Sequence, residues 1–237
     1  MCIKLSNTAE RELIERELKM TFKFPNLYQP EMIINGSEES LLTVITSNNS
    51  EILNYAIWGL LPKSYKEEWS DFQSVFNSLT VNRDEVVSSS LYKNSFYKSR
   101  CLIVVTGFLI SHLYKGTIHP YIVYHKQEKP FCLAGVYTVL EDGFITCSLI
   151  MKESSHIVKR IQNLNSTMPV VLNKSQQKKW LSKNTPSHEL LNLMDNVSEI
   201  KNFKAHPVAK EFIKNSISFD SMLEPVYYKG LPRDPMI

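Results

Sequence analysis

The sequence predicts an α+β fold, a mainly antiparallel sheet with helices packed on its rim. Three observations carry that reading. The middle third strings together "RCLIVVTGFLI", "PYIVYHK", "FCLAGVYTVL" and "FITCSLIM", runs of β-branched and aromatic residues divided by the turn-sized gaps "YKGTIH", "QEKP" and "EDG". Such spacing suits an antiparallel meander or barrel. Charged segments with apolar residues at helical spacing lie on both sides of this block. With only 7 Gly, scattered Pro and no repeat, nothing reads as an interdomain linker, so residues 1–237 are expected to form one domain.

Taken in order, "SNTAERELIEREL" is a helix that Asn7 can cap with Glu10 three residues on, and Leu13, Ile14 and Leu18 form its buried stripe. "LLTVITS" and "LNYAIWGLLP" read as strands, the second broken by Gly59 and Pro62. "KEEWSDFQSVFNSL" sets Trp69, Phe72, Val75, Phe76 and Leu79 at helical spacing, a core stripe rather than a stacking platform. After the strand-rich block come a short amphipathic helix in "SSHIVKRIQNL", a strand in "MPVVL", and a helix in "SQQKKWL" that Ser175 can cap. "SHELLNLMDNV" and "AKEFIKNSI" supply the last helical turns.

Composition sets bounds on function. The apolar fraction of 43% is that of an ordinary globular chain, and the net charge of +3 permits an anionic partner without arguing for one. Residues 1–20 hold no continuous apolar segment of a signal peptide, and the longest apolar run, 101–110, is too short to span a bilayer. The four cysteines Cys2, Cys101, Cys132 and Cys147 contain no C-x-x-C pair, so neither a zinc site nor a disulfide framework is suggested. A cytoplasmic protein without membrane contact, metal or organic cofactor is the expectation.

The chain opens "MCIKLS". Removal of Met1 before a small residue leaves Cys2 with a free α-amine and a free thiol, which titrate near ~7.7–8.0 and ~8.5. Together they can capture an aldehyde twice, first as an imine and then as a five-membered thiazolidine. Other searches return little. No glycine-rich phosphate loop, H-E-x-x-H or G-x-S-x-G is present, and the six histidines (112, 119, 125, 156, 188, 206) read as surface or loop residues. "YKNSFYKSR" alternates Tyr92, Phe96 and Tyr97 with Lys93, Lys98 and Arg100, a pattern that can stack bases and neutralise phosphate. A turn with its aromatics facing the core is the alternative.

Several fragments then occur in a telling order: "ING" at 34–36, "WGLLP" at 58–62, "RCL" at 100–102, "GF" at 107–108, "PYIVY" at 120–124, "AGVY" at 134–137 and "MPVVLNKSQQKKWL" at 168–181. With Cys at position 2, this order resembles the SOS-response-associated peptidase (SRAP) family over nearly the whole chain. The resemblance implies an α+β fold with a barrel-like core and a groove for single-stranded DNA. It also implies a covalent thiazolidine between the N-terminal cysteine and the ring-opened aldehyde of an abasic site, and autoproteolytic removal of a leader by the same cysteine. Cys2 is then the nucleophile, Trp58 lines the groove or else belongs to the core, and Lys4 and Arg100 are candidate phosphate contacts.

The helper positions depart from the family pattern. Counted without a gap from "RCL", the family's N-A-R-x-E-T segment falls on "TVNRDE", so that Thr80, Asn82 and Asp84 replace Asn, Arg and Glu; a shifted register would use Asn82, Arg83 and Glu85. The catalytic Glu that follows the family's G-F corresponds to Ile110, the His of its I-H-N to Gln162, and the Arg before its M-P to Thr167. Positioned acids and bases supply ~10²–10⁴-fold in rate, and these substitutions remove them. His112 and His156 are the candidates to stand in. Two functions follow as expectations: a divergent abasic-site crosslinker with impaired catalysis, or an inactive module on the same scaffold that binds DNA or a protein partner.

Overall fold

The structure, a computed structural model, describes residues 4–195, 202–210 and 221–231. Strand β1 (Lys4–Asn7) leads into helix α1 (Arg11–Leu18), then β2 (Thr21–Phe22), β3 (Glu31–Asn35), β4 (Leu41–Thr46) and β5 (Asn49–Trp58). Helix α2 (Trp69–Val75), strand β6 (Thr80–Asn82) and helix α3 (Lys93–Lys98) precede the five long strands. Those are β7 (Arg100–Val105), β8 (Gly107–Tyr114), β9 (Thr117–His125), β10 (Phe131–Val139) and β11 (Ile145–Glu153). The rest comprises α4 (His156–Lys159), β12 (Thr167–Pro169), β13 (Val171–Leu172), α5 (Lys174–Leu181), α6 (Ser187–Asp195) and β14 (Phe203–Pro207).

Two sheets result. The larger runs β12-β11-β10-β7-β4-β5-β2, and a parallel pairing of β5 with β11 at Thr146↔Ile57 and Cys147↔Trp58 closes β11, β10, β7, β4 and β5 into a ring. The smaller runs β14-β9-β8-β1-β3. Neighbouring strands are antiparallel except where β11 meets β5 and β6 and where β2 meets β5. The expected α+β class and its antiparallel character both hold.

Because side chains alternate across a strand, β7 and β10 serve two cores at once. Cys101, Ile103 and Val105 with Phe131, Leu133 and Tyr137 join the cluster shared with the smaller sheet, which supplies Leu5, Phe108, Ile110, Tyr121 and Val123. Leu102 and Val104 with Cys132, Ala134 and Val136 face the helices, against Ile14, Phe96, Trp180 and Leu190. Strands buried on both faces read as continuous apolar runs rather than alternating ones, which is what the middle third displays.

Several local expectations change. "RCLIVVTGFLI" is two strands in two sheets, divided at Thr106, whose N–H bonds the Ser6 carbonyl at 2.8 Å. Asn7 does not cap α1; it is buried in β1 with its amide toward the Val104 carbonyl at 3.4 Å, and Glu10 occupies the cap. Asn173, not Ser175, caps α5, in a reciprocal capping box with Gln176. Helix α2 stops at Val75, which is 89% exposed, so only Trp69 of the expected stripe is buried within the helix. The helix expected in "AKEFIKNSI" falls largely on 211–220, outside the described residues.

The "WG" corner after β5 is tightly determined. Trp58 is fully buried and donates its indole N–H to the Leu79 carbonyl at 2.9 Å, while Trp69 donates to the Trp58 carbonyl at 2.8 Å. Gly59 turns the chain at φ +116°, and a Cβ there would lie 2.5 Å from the Trp69 indole nitrogen. Only glycine fits both the angle and the space.

Candidate functional site

The site is best followed outward from β1. Cys2 lies outside the described residues; the first described position, Lys4, opens β1 opposite Asn35 of β3, while Leu5 pairs with Phe108 of β8. Lys4 is half-buried, and burial pulls its ammonium below the ordinary lysine value against the opposing pull of the Glu38 carboxylate. The "ING" turn holds its shape through Asn35, whose amide donates to Glu38 at 2.9 Å and whose carbonyl accepts from the Ser40 hydroxyl at 2.9 Å.

Next to β1, strand β8 carries Ile110, 3% exposed and packed into the shared core opposite Tyr121. The segment after α4 is fastened to this strand just beyond Ile110. The His112 ring, edge-on to Tyr121, meets the Ile161 carbonyl through Nδ1. Asn163 accepts from the Leu113 N–H at 2.7 Å and donates to its carbonyl at 2.9 Å. Between these two anchors sits Gln162, 4% exposed, whose amide donates to the Thr167 carbonyl at 2.6 Å and approaches Asn165. The segment carrying Gln162, at the position the resemblance assigns to the family's His, is thus fastened to β8 two and three residues beyond Ile110, at the position it assigns to the Glu, and both residues are neutral.

Strand β11 brings the other helper segments alongside. Met151 pairs with Asn82 of β6 on one side and with Pro169 of β12 on the other, and Glu153 faces Thr167. Val81, between Thr80 and Asn82, is buried. Arg83 turns away: its guanidinium grips Asp195 of α6 at 2.7 and 3.0 Å and Asp84 at 2.7 Å, contacts that hold its pKa above the usual value.

Two expected DNA contacts are taken up by the fold instead. Arg100 is 1% exposed and donates to the carbonyls of Trp180, Phe96, Tyr97 and Ser182 at 2.7 to 2.8 Å. Those bonds tie α3 and α5 to β7 and leave no guanidinium face for phosphate. Trp58 is core, the second of its two readings. In the 92–100 stretch, Tyr92 and Phe96 point inward, and of its three aromatic residues only Tyr97 is substantially exposed, at 41%, beside the exposed Lys93 and Lys98. His119 is also buried rather than superficial, against Tyr228 with ring centroids 4.5 Å apart. Among the described residues, no three His, Cys, Asp or Glu side chains converge as a metal site would require, and no helix is long and apolar enough to cross a membrane.

The model of the SOS response associated peptidase (SRAP) family matches residues 1–215. The chain belongs to the SRAP family. Its relatives include two abasic site processing proteins of Bacillus subtilis (strain 168). YobE is 24% identical over 201 residues, covering 82% of this chain and 88% of YobE. YoaM is 25% identical over 173 residues, covering 70% of this chain and 73% of YoaM. A solved structure from Bacteroides thetaiotaomicron superposes with a TM-score of 0.84 at 20% identity, covering 95% of this chain and 100% of that one. A second, from Bordetella bronchiseptica, gives 0.73 at 13%, covering 88% and 100%. At these identities the likeness speaks for the fold.

Within this SRAP chain, Asn163, the last residue of the I-H-N position, had no role assigned from sequence, yet it latches the Gln162 segment to β8. Its retention beside a replaced histidine was the available signal.

Proposed function

We propose that this SRAP protein acts on abasic sites in single-stranded DNA through Cys2, once Met1 is removed, at a rate lowered by the loss of its titratable helpers. One observation supports this most: the start of β1, Ile110 on β8 and the segment carrying Gln162 and Thr167 come from three distant parts of the sequence and are fastened to one another. The scaffold of the site is intact although its acids and bases are replaced. The names of the Bacillus relatives point to the same lesion.

The reaction itself needs little beyond Cys2. Its α-amine adds to the ring-opened sugar aldehyde and one water leaves, giving an imine. The thiolate of the same residue adds to the imine carbon, the nitrogen takes up a proton, and a thiazolidine closes. Ile110 cannot deliver the proton that expels water, and Gln162 can hold a hydrogen bond but not titrate, so the rate falls by ~10²–10⁴-fold relative to a site with both helpers. Lys4 is the phosphate contact this reading retains.

A second reading, an inactive module that binds DNA or a protein partner, is favoured by the commitment of the Gln162 amide to the Thr167 carbonyl. A denaturing gel separates the two. Purified protein, with its N-terminal mass determined, is incubated with single-stranded DNA carrying one abasic site, beside undamaged DNA and a Cys2→Ser variant. A shifted band that needs both Cys2 and the lesion is the expected result. No band, from protein whose mass shows Cys2 at its N-terminus, overturns the crosslinking reading in favour of the module.

A further inference from the structure

We propose that the groove between α5 and the C-terminal end of α1 is a docking site for an acidic peptide segment with aliphatic anchors. The groove encloses about 600 Å³, within the ~300–1,000 Å³ of functional ligand pockets. One wall is a single face of α5: Lys174, Gln177, Lys178, Leu181 and Ser182 recur at the i, i+3, i+4, i+7, i+8 spacing of a helix stripe. The opposite wall is Leu18 to Met20, where α1 ends on Lys19 in the left-handed conformation. Ile45 of β4 and Leu102 of β7 form the floor.

Charge and surface chemistry define the occupant. Lys19, Lys174 and Lys178 stand exposed on the rim, and among the described residues none of them has an ion pair. The one acid on the rim, Glu17, is already paired with Lys129 at 3.3 Å. The groove is therefore cationic and complements an anionic partner. The apolar part of its lining is aliphatic, Leu18, Met20, Ile45, Leu102 and Leu181, with no aromatic ring. Single-stranded nucleic acid relies on aromatic faces to stack its bases, whereas Leu and Met surfaces suit peptide side chains. The α5 wall is about 12 Å long at ~1.5 Å per residue, enough for about four extended peptide residues.

The location matters for function. Ile45 and Leu102 belong to the helix-facing core, while Ile110 belongs to the core shared with the smaller sheet. A peptide in the groove and DNA at the candidate site occupy opposite faces of the ring and can bind together.

The test uses the full chain. Random short peptides displayed on phage are selected against it, and the enriched sequences are synthesised with a fluorescent label. Acidic peptides with interleaved Leu, Ile, Val or Met are expected, bound at least about tenfold more weakly by K174E/K178E and unaffected by K174R/K178R. Amide shifts at Met20, Gln177 and Leu181 on titrating the same peptide into unmodified protein report occupancy without any substitution. Enrichment of no such peptide, equal affinity for K174E/K178E, or shifts confined elsewhere overturns the proposal. Displacement of the peptide by an undamaged oligonucleotide also overturns it, and makes the groove a nucleic-acid path.

Discussion

Asn163 and Leu113 hold each other by two hydrogen bonds across 50 residues of sequence, the side-chain amide of one closing on the backbone N–H and C=O of the other. The pairing imitates one rung of a β-ladder. It makes an irregular segment behave as an extension of β8, and so fixes how the Gln162 backbone stands relative to Ile110.

Replacing Asn163 by Ala removes both bonds and returns the Leu113 groups to water, since the site is exposed. Two neutral bonds at ~0.5–1.5 kcal/mol each set the loss at about 1–3 kcal/mol by urea unfolding. Asn163→Asp keeps the acceptor and loses the donor, so about half that loss is expected. If both variants unfold like the parent, the latch does not hold the segment.

Under the proposed function, Ile110 and Gln162 stand where the family resemblance puts an acid and a base, so restoring I110E and Q162H together should speed adduct formation with abasic DNA by about 10²-fold or more. The new carboxyl enters a buried position, where desolvation raises its pKa toward the range useful for a general acid. The same burial makes the variant less stable. Quenched time points on a denaturing gel give the rate. A folded double variant no faster than the parent places the limitation elsewhere than in these two helpers.

Arg100 is predicted to matter for folding and not for phosphate binding. Arg100→Ala strands the carbonyls of Phe96, Tyr97, Trp180 and Ser182, and charge-assisted bonds of this kind are worth ~1.5–3 kcal/mol each, so a loss of at least about 3 kcal/mol is expected. Lysine cannot reproduce the fork, and Arg100→Lys should recover only part of it. In buffer where either variant is folded, the salt dependence of oligonucleotide binding should match the parent; a slope lower by about one unit would reveal a phosphate contact.

The parts of this fold that were legible in the sequence are those whose cause is local. β10 and β11 show their β-branched and aromatic runs, and the "EDG" turn divides them. The capping box on α5 is equally legible in "NKSQ", where Asn173 and Gln176 have the required spacing, although Ser175 two residues on is a competing cap candidate. β1 could not be read, because "KLSN" has neither length nor alternation and becomes a strand only through partners at 31–35 and 107–108. The division of "RCLIVVTGFLI" is likewise tertiary, imposed by Ser6 on Thr106. For the site, no motif could say that Arg100 would be buried among carbonyls or that Asn163 would latch a loop.

His119 should give the protein a pH-dependent stability in the mildly acidic range. The ring is buried against Tyr228, whose hydroxyl in turn donates to the Val208 carbonyl at 3.1 Å, and Nδ1 has no partner among the described residues. Burial first, then the nearby charges of Lys210 and His112, hold its pKa below the ordinary imidazole value. The unfolded chain, with histidine near ~6.5, therefore takes up its proton before the folded protein does. Bound protons in excess on the unfolded side make stability rise with pH, so this contribution is complete above about 6.5 and is lost as pH falls from there through the depressed folded value. His119→Phe keeps an aromatic face for Tyr228 and removes the titration. The parent should lose more stability than the variant between about pH 7 and pH 5 by urea unfolding, and parallel profiles would show that His119 is not the group responsible.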